Sequence, residues 1–194
     1  MSSLKARVET LEADLKASPM RHYIYNDLPF AIFCYPPRDE WAMRHEVGLL
    51  KTRLEKDTDR RVVILSLADL MWQSVDESEG IEAVVALERQ RGFEKAELQV
   101  QSYLSDPDWR PLPDMLAERL AGLDPERTLA FIVRAGALAP SLYRVSKLLD
   151  EMKGRTRVPC VLFMPATTEG SSLRFMGIAE NEGRGSYHTK VYTD

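Results

Sequence analysis

No glycine and no lysine stand in Tyr35-Pro36-Pro37-Arg38-Asp39, the join between the first strand-like run and the helix after it. A phosphate cradle uses glycine to turn backbone N–H groups inward and to let the phosphate approach, and a lysine usually follows. Each proline lacks an N–H and fixes its φ, so this corner loses two donors where a phosphate needs them. Histidine is sparse as well: His22, His45 and His188 are scattered, without an H-x-x-x-H or C-x-x-C spacing to hold a metal. Only two cysteines occur, Cys34 and Cys160, each inside an apolar run. Both read as buried free thiols, which fits a reducing compartment. Positive charge is not in excess, because the net charge is −4. That lowers the expectation of nucleic-acid binding without excluding a local basic patch. No stretch reaches the roughly 18 apolar residues of a membrane span. The charged start MSSLKARVETLEADLKASP does not read as a signal peptide. A soluble, cytoplasmic protein is expected.

What is present has the rhythm of an α/β fold. With 194 residues the chain is expected to form a single domain, residues 1–194. Leu4, Val8, Leu11 and Leu15 recur at helical spacing, predicting an N-terminal amphipathic helix within residues 1–18 that docks on its own domain or on a partner. A strand is predicted over Phe30–Tyr35, then a helix from about Asp39 to Lys56 with Met43, Val47, Leu50 and Leu54 inward. Glu40 with Arg44, and Lys51 with Glu55, are spaced as ion pairs on its other side. A second strand, Val62–Ser66, runs into a helix that Ser66 caps, with Asp69 in the first turn. The pattern is helical from Ser78 to Leu104, carried by Ile81, Val84, Val85 and Leu87 and interrupted at Gly92. A short helix follows over Asp114–Ala121, then a third strand over Thr128–Val133. The next helix is predicted from near Pro140 to Gly154, and a fourth strand over Val158–Met164. Two short strands, SLRFMGI and SYHTKVY, end the chain as a hairpin or an antiparallel edge. Apolar strands alternating with amphipathic helices imply a mostly parallel sheet with helices on both faces. A three-layer fold of Rossmann-like or P-loop-like topology is expected, with a degenerate nucleotide site.

In such sheets ligands sit beyond the carboxyl ends of the strands. The first turn offers Arg38, and its Tyr-Pro-Pro reads as a rigid corner or a platform for a partner. The second offers Asp69, read as a helix-dipole residue. The third, Arg134-Ala135-Gly136, has no carboxylate of the kind a P-loop ATPase uses to hold magnesium. The fourth, MPATTEGSSLRFMG, clusters Thr167, Thr168, Glu169, Gly170, Ser171, Ser172 and Arg174. It lacks the G-x-S-x-G elbow of a serine nucleophile, so capped turns or a recognition surface are the readings. Trp41 and Trp109 lie near turns as candidate interface anchors, and Trp72 reads as core.

Several of these segments together resemble the BrxB proteins of BREX bacteriophage-exclusion systems. The likeness runs through FAIFCYPPRDEWAMRHEVGLL, RVVILSLADLM, TLAFIVRAGALAPSLYRVSKLLDEM and VPCVLFMPATTEGSSLRFMG. The ending NEGRGSYHTKVYTD departs from the Tyr-Tyr-Arg-like close associated with that family. The resemblance implies a non-catalytic component of a defence system that also holds a large ATPase, a DNA methyltransferase and a PglZ-type alkaline-phosphatase-superfamily protein. It implies an assembly role without a cofactor, with the PglZ-type protein as the expected partner. The candidate interaction or structural residues are Tyr35, Pro36, Pro37, Arg38, Arg44, Asp69, Arg134, Thr167, Gly170 and Arg174. Two alternatives stand beside this reading. One is an atypical nucleotide site built from Arg38, Arg134 and the Thr167–Ser172 loop; the other is DNA contact through Arg174, Arg184 and Lys190.

Overall fold

The structure, a computed structural model, describes residues 4–17, 28–139, 141–169, 172–178 and 189–193. Helix α1 spans Leu4–Lys16, β1 Phe30–Tyr35, α2 Glu40–Asp57, β2 Arg61–Ser66 and α3 Leu67–Ser78. Helices α4 (Ile81–Arg91), α5 (Phe93–Ser105) and α6 (Leu112–Leu120) precede β3, Thr128–Val133. Then come α7 (Val145–Glu151), β4 (Cys160–Glu169), β5 (Ser172–Phe175) and β6 (Lys190–Tyr192). Short 3-10 turns lie at Pro37–Asp39 and Ala135–Leu138.

The strand order is β2-β3-β4-β1-β6, parallel throughout, with β5 antiparallel on the far half of β4. Alternation along the strands divides the sheet into two apolar faces. Ala31, Phe33 and Tyr35 of β1, Leu129 and Phe131 of β3, and Val161 and Phe163 of β4 meet α1 and α2 on one side. Phe30, Ile32 and Cys34, Ala130 and Ile132, and Cys160, Leu162 and Met164 meet α3, α6 and α7 on the other. These strands are buried on both faces, so they read as continuous apolar runs rather than alternating ones. The predicted stripe of α2 is the buried one: Met43, Val47, Leu50 and Leu54. Both predicted ion pairs form, Arg44 Nε–Glu40 Oε1 at 2.8 Å and Lys51 Nζ–Glu55 Oε1 at 3.1 Å.

The second pair also guards a sheet edge. On β2 the Val62 N–H donates to Glu55 Oε1 at 2.9 Å, and the Val62 carbonyl accepts from Lys51 Nζ. Part of the open strand edge is thereby closed to another chain.

Helix α1 docks on its own sheet rather than on a partner. Val8, Leu11 and Leu15 are fully buried, and Arg7 Nη1 donates to the Cys34 carbonyl at 2.6 Å. Asp14 accepts from Tyr192 Oη at 2.7 Å and from Lys190 Nζ, joining α1 to β6.

Several expectations are corrected. Trp72 is half exposed, because the buried stripe of α3 is Leu67, Ala68, Leu70, Met71, Ser74 and Val75. Three adjacent apolar residues, Leu70-Met71-Trp72, cannot all face one side of a helix. The stretch from Ser78 is broken at Gly80 as well as Gly92; both glycines have positive φ, and α4 between them buries no residue. Helix α7 begins at Val145 rather than near Pro140, which lies outside the described residues, and buried Tyr143 fills the intervening turn. Strand β4 begins two residues later than expected and runs five further, because its extension pairs with β5. The last strand is a parallel neighbour of β1, not a hairpin arm or an antiparallel edge. Cys34 and Cys160 are buried, unpaired and apart in register: Cys34 lies beside Met164, and Cys160 beside Phe30. Burial pushes the Cys34 thiol up to about 12, against a smaller opposing pull from Arg7, and raises that of Cys160 as well.

Candidate functional site

The carboxyl ends of β1, β2, β3 and β4 bring the sequence-predicted residues to one edge of the sheet. At β1 the aromatic body of Tyr35 is buried, and its hydroxyl donates to Glu40 Oε2 at 2.5 Å. Burial first, and Glu40 second, raise the Tyr35 phenol well above its usual range. Glu40 also accepts from Arg44 Nε, and the Arg44 guanidinium lies 4.6 Å above the Trp41 ring. The corner is thus clamped through Tyr35, Glu40, Arg44 and Trp41. Pro36 is extended, with φ −58° and ψ 136°, and its carbonyl accepts from the Asp39 N–H at 2.8 Å. Arg38 points outward, 84% exposed, with Asp39 4.0 Å away. The periodicity of α2 revealed Glu40 with Arg44, but not the reach of Tyr35 to Glu40, which depends on how the corner turns.

At β2, Ser66 Oγ accepts from the Asp69 N–H at 3.2 Å, the expected cap. The Asp69 carboxylate reaches across to β3 and accepts from Arg134 Nη1 at 2.9 Å. Arg134 has φ 60° and ψ 35°, a left-handed conformation costing a non-glycine residue about 1–2 kcal/mol. The third turn therefore neutralises the carboxylate of the second; Asp69 is largely solvated and Arg134 is partly buried.

The fourth turn fills the edge. Strand β4 continues past β1 with Pro165 beside Tyr35, then doubles back as β5 with Thr167 opposite Arg174. The Met176 N–H donates to the Pro165 carbonyl at 2.8 Å. Met176, at φ 55°, tucks over Gly136. A Cβ on Gly136 would lie 3.3 Å from Met176 Sδ and 3.5 Å from Pro165 Cγ. Strand β4 thus packs onto both 3-10 turns, at the end of the sheet where folds of this kind hold ligands. Gly136→Val is expected to lower stability by about 1–3 kcal/mol, because the branched side chain pushes the hairpin off its seat. Urea unfolding checks it; an unchanged midpoint would mean that the seat is not close-packed.

Among the described residues no hydrogen bond or ion pair links Arg38, Arg134 and Thr167, the trio of the nucleotide alternative. Of the DNA-contact trio, Lys190 is engaged with Asp14, Arg174 is half-buried on β5, and Arg184 lies outside the described residues. Gly170 and Ser171 also lie outside them, as do the side chains of Thr168, Glu169 and Ser172. No group of three or more His, Cys, Asp or Glu suited to a metal ion occurs among the described residues. No helix there is long and apolar enough to cross a membrane.

The fold defines a mostly parallel α/β protein with helices on both faces, in which Pro165 and Met176 pack against Gly136 at the carboxyl edge of the sheet. Residues 63–190 match the family model described as "BREX protein BrxB", and the chain belongs to that family. It is similar to the BREX protein BrxB of Bacillus cereus (strain H3081.97), with 23% identity over 155 residues, covering 78% of each chain. No solved structure matches. The protein is accordingly a component of a BREX system.

Proposed function

We propose that the protein is a non-catalytic assembly module of its BREX system, docking on another BREX protein, with a PglZ-type protein as the partner. The observation that carries this reading is the packing of Pro165 and Met176 against Gly136, with Tyr35 bonded to Glu40 and Asp69 paired with Arg134 beside it. A site for nucleotide turnover needs donors aimed at a phosphate and a carboxylate for its magnesium. At this edge the prolines supply no donor, and Asp69 faces Arg134. Exposed Trp41 and Arg38 supply side chains of the types that anchor protein interfaces. Buried free thiols support placement in the reducing cytoplasm.

Co-purification tests this reading. The tagged protein, expressed with the complete set of BREX proteins of its own operon, is expected to retain the PglZ-type protein through washing. A chain that retains none of them, in any pairwise combination, defeats the assembly role.

A further inference from the structure

Between β2 and β3 the chain makes a long helical excursion, residues 67–108, through α3, α4 and α5. Its composition is lopsided. It holds ten acidic and three basic residues, a net of −7, whereas the rest of the chain holds 20 acidic and 23 basic. Of the eight large apolar side chains exposed among the described residues, five belong to it: Trp72, Ile81, Val85, Phe93 and Leu98. Phe93 is 67% exposed and Leu98 51%, values that folding alone does not reward. Single exposed apolar residues are ordinary, but a concentration in one segment points to contact with something else.

Helix α4 makes the point sharpest. It packs on α5, it is the α-helix that buries no residue among those described, and Ile81 and Val85, one turn apart, face outward. Asp76, Glu82, Glu88 and Glu94 are exposed, and no ion pair reaches them among the described residues. Along α5 runs an open groove lined by Leu98, Gln101, Ser102, Ser105, Asp106 and Pro107. The spacing 98, 101, 102, 105 is one helix face, so the groove follows the helix axis. Leu98 and Pro107 give it apolar ground, the amide and hydroxyls give it polar sides, and Asp106 closes one end with negative charge.

We propose that this excursion is a docking surface for a positively charged amphipathic helix of a BREX partner protein. That helix lies along α5, its apolar side on Leu98 and Pro107 and its lysine and arginine residues toward Asp106 and the acids of α4 and α5. This rests on the assembly reading and specifies its surface. Charge selects the occupant. Arg134 and Arg110 pair with Asp69 and Glu77, and the eight acids that remain against three basic residues still attract a cationic partner and repel an acidic one. A second copy fits poorly, because the remainder of the chain spreads a net of only +3 over its surface.

The probes are the purified PglZ-type protein and each other purified BREX protein, titrated against the immobilised chain at rising salt. The variants are Glu82→Lys/Glu88→Lys/Glu94→Lys, Leu98→Asp and, as a control elsewhere on the surface, Leu49→Ala on α2. Circular dichroism and thermal unfolding select the variants that keep the fold, and the exposed positions leave little reason for loss. Expected are binding that weakens as salt rises, a loss of at least about tenfold in both excursion variants, and less than about twofold in the control. Wild-type binding that both excursion variants retain overturns the surface while leaving the assembly reading intact. Absence of wild-type binding to every probe overturns both. A wild-type dimer that the triple variant turns into a monomer, by light scattering, assigns the surface to a second copy and also overturns the proposal.

Discussion

Phe163→Ala is expected to lower the unfolding free energy by about 3–5 kcal/mol, the range for removing a fully buried phenylalanine. Phe163 is 1% exposed, on β4 between β3 and β1. Its ring centroid lies 5.7 Å from that of Phe33 and 5.2 Å from that of Phe131, the second in an edge-to-face arrangement. Three adjacent strands thus each place one ring beneath α1 and α2, and Tyr192 of β6 continues the row against Phe33 at 6.3 Å. Truncation opens a hole framed by hydrogen-bonded strands, which cannot move inward without breaking the ladder. Collapse is therefore limited, and the cost lies high in the range. A domain with about 5–15 kcal/mol of stability would lose much of it. The same strand runs on to Pro165, so loosening its middle also loosens the packing against Gly136. Phe163→Leu keeps most of the volume and is expected to cost less than half as much. Urea unfolding of both variants provides the measurement, and a loss below about 1 kcal/mol for alanine would mean that the aromatic row is not close-packed.

Asp14→Ala is the second large effect, expected at about 2 kcal/mol. The carboxylate is nearly buried and accepts from the Tyr192 hydroxyl and the Lys190 ammonium, two groups on the strand at the opposite end of the chain. Removing one partner of a buried ion pair costs about 3–5 kcal/mol when the other is left dry. Lys190 is 36% exposed, however, and water can take over part of the lost contact. Tyr192 is the more costly loss, because its ring is buried and packs on Phe33. Asp14→Asn keeps an acceptor for Tyr192 and should recover part of the stability. Equal stability of the alanine variant and the wild type would show that α1 and β6 are not clasped through this residue.

This clasp and its neighbours also set the pH range of the fold. Glu12 on α1 bonds Lys16 and Arg53, and Lys16 bonds Asp57 at the end of α2. Burial raises the Glu12 carboxyl, but hydrogen bonds from Lys16 and Arg53 outweigh it and hold the group below its usual range. Asp57 is held low by the hydrogen bond from Lys16. A carboxyl depressed in the folded state adds stability above its unfolded value, about 4, and that contribution fades as pH falls through the folded value. Tyr192 acts in the opposite sense: burial and Asp14 raise its phenol, so its contribution is full below about 10 and is lost at higher pH. The unfolding midpoint should therefore fall below about pH 4 and again above about pH 10. In Asp14→Ala the alkaline loss should shrink, since one cause of the Tyr192 shift is gone.

The sequence made legible whatever is local. Strands β1 and β3 fall on the apolar runs Phe30–Tyr35 and Thr128–Val133, and α2 buries the four residues its periodicity selects. Ser66 caps α3 as its residue type suggests. What stayed hidden depends on register between distant segments. Arg134 meets Asp69 across 65 residues, and Tyr192 meets Asp14 across 178. Nothing in either neighbourhood shows the partner. The packing of Met176 over Gly136 was equally invisible, since it requires β4 to outrun β1 and fold back. Trp72 misled for another reason: it ends a run of three adjacent apolar residues, of which α3 buries Leu70 and Met71 and turns the third outward.

Calorimetric titration of the purified chain, first with MgATP and then with the PglZ-type protein of the same operon, puts the assembly role to the sharpest test. Saturable heat with the protein and none with the nucleotide is the expected pair of results. Stoichiometric MgATP binding that is lost in Arg134→Ala, together with silence toward every BREX protein, would mean that the edge of the sheet is a ligand site after all.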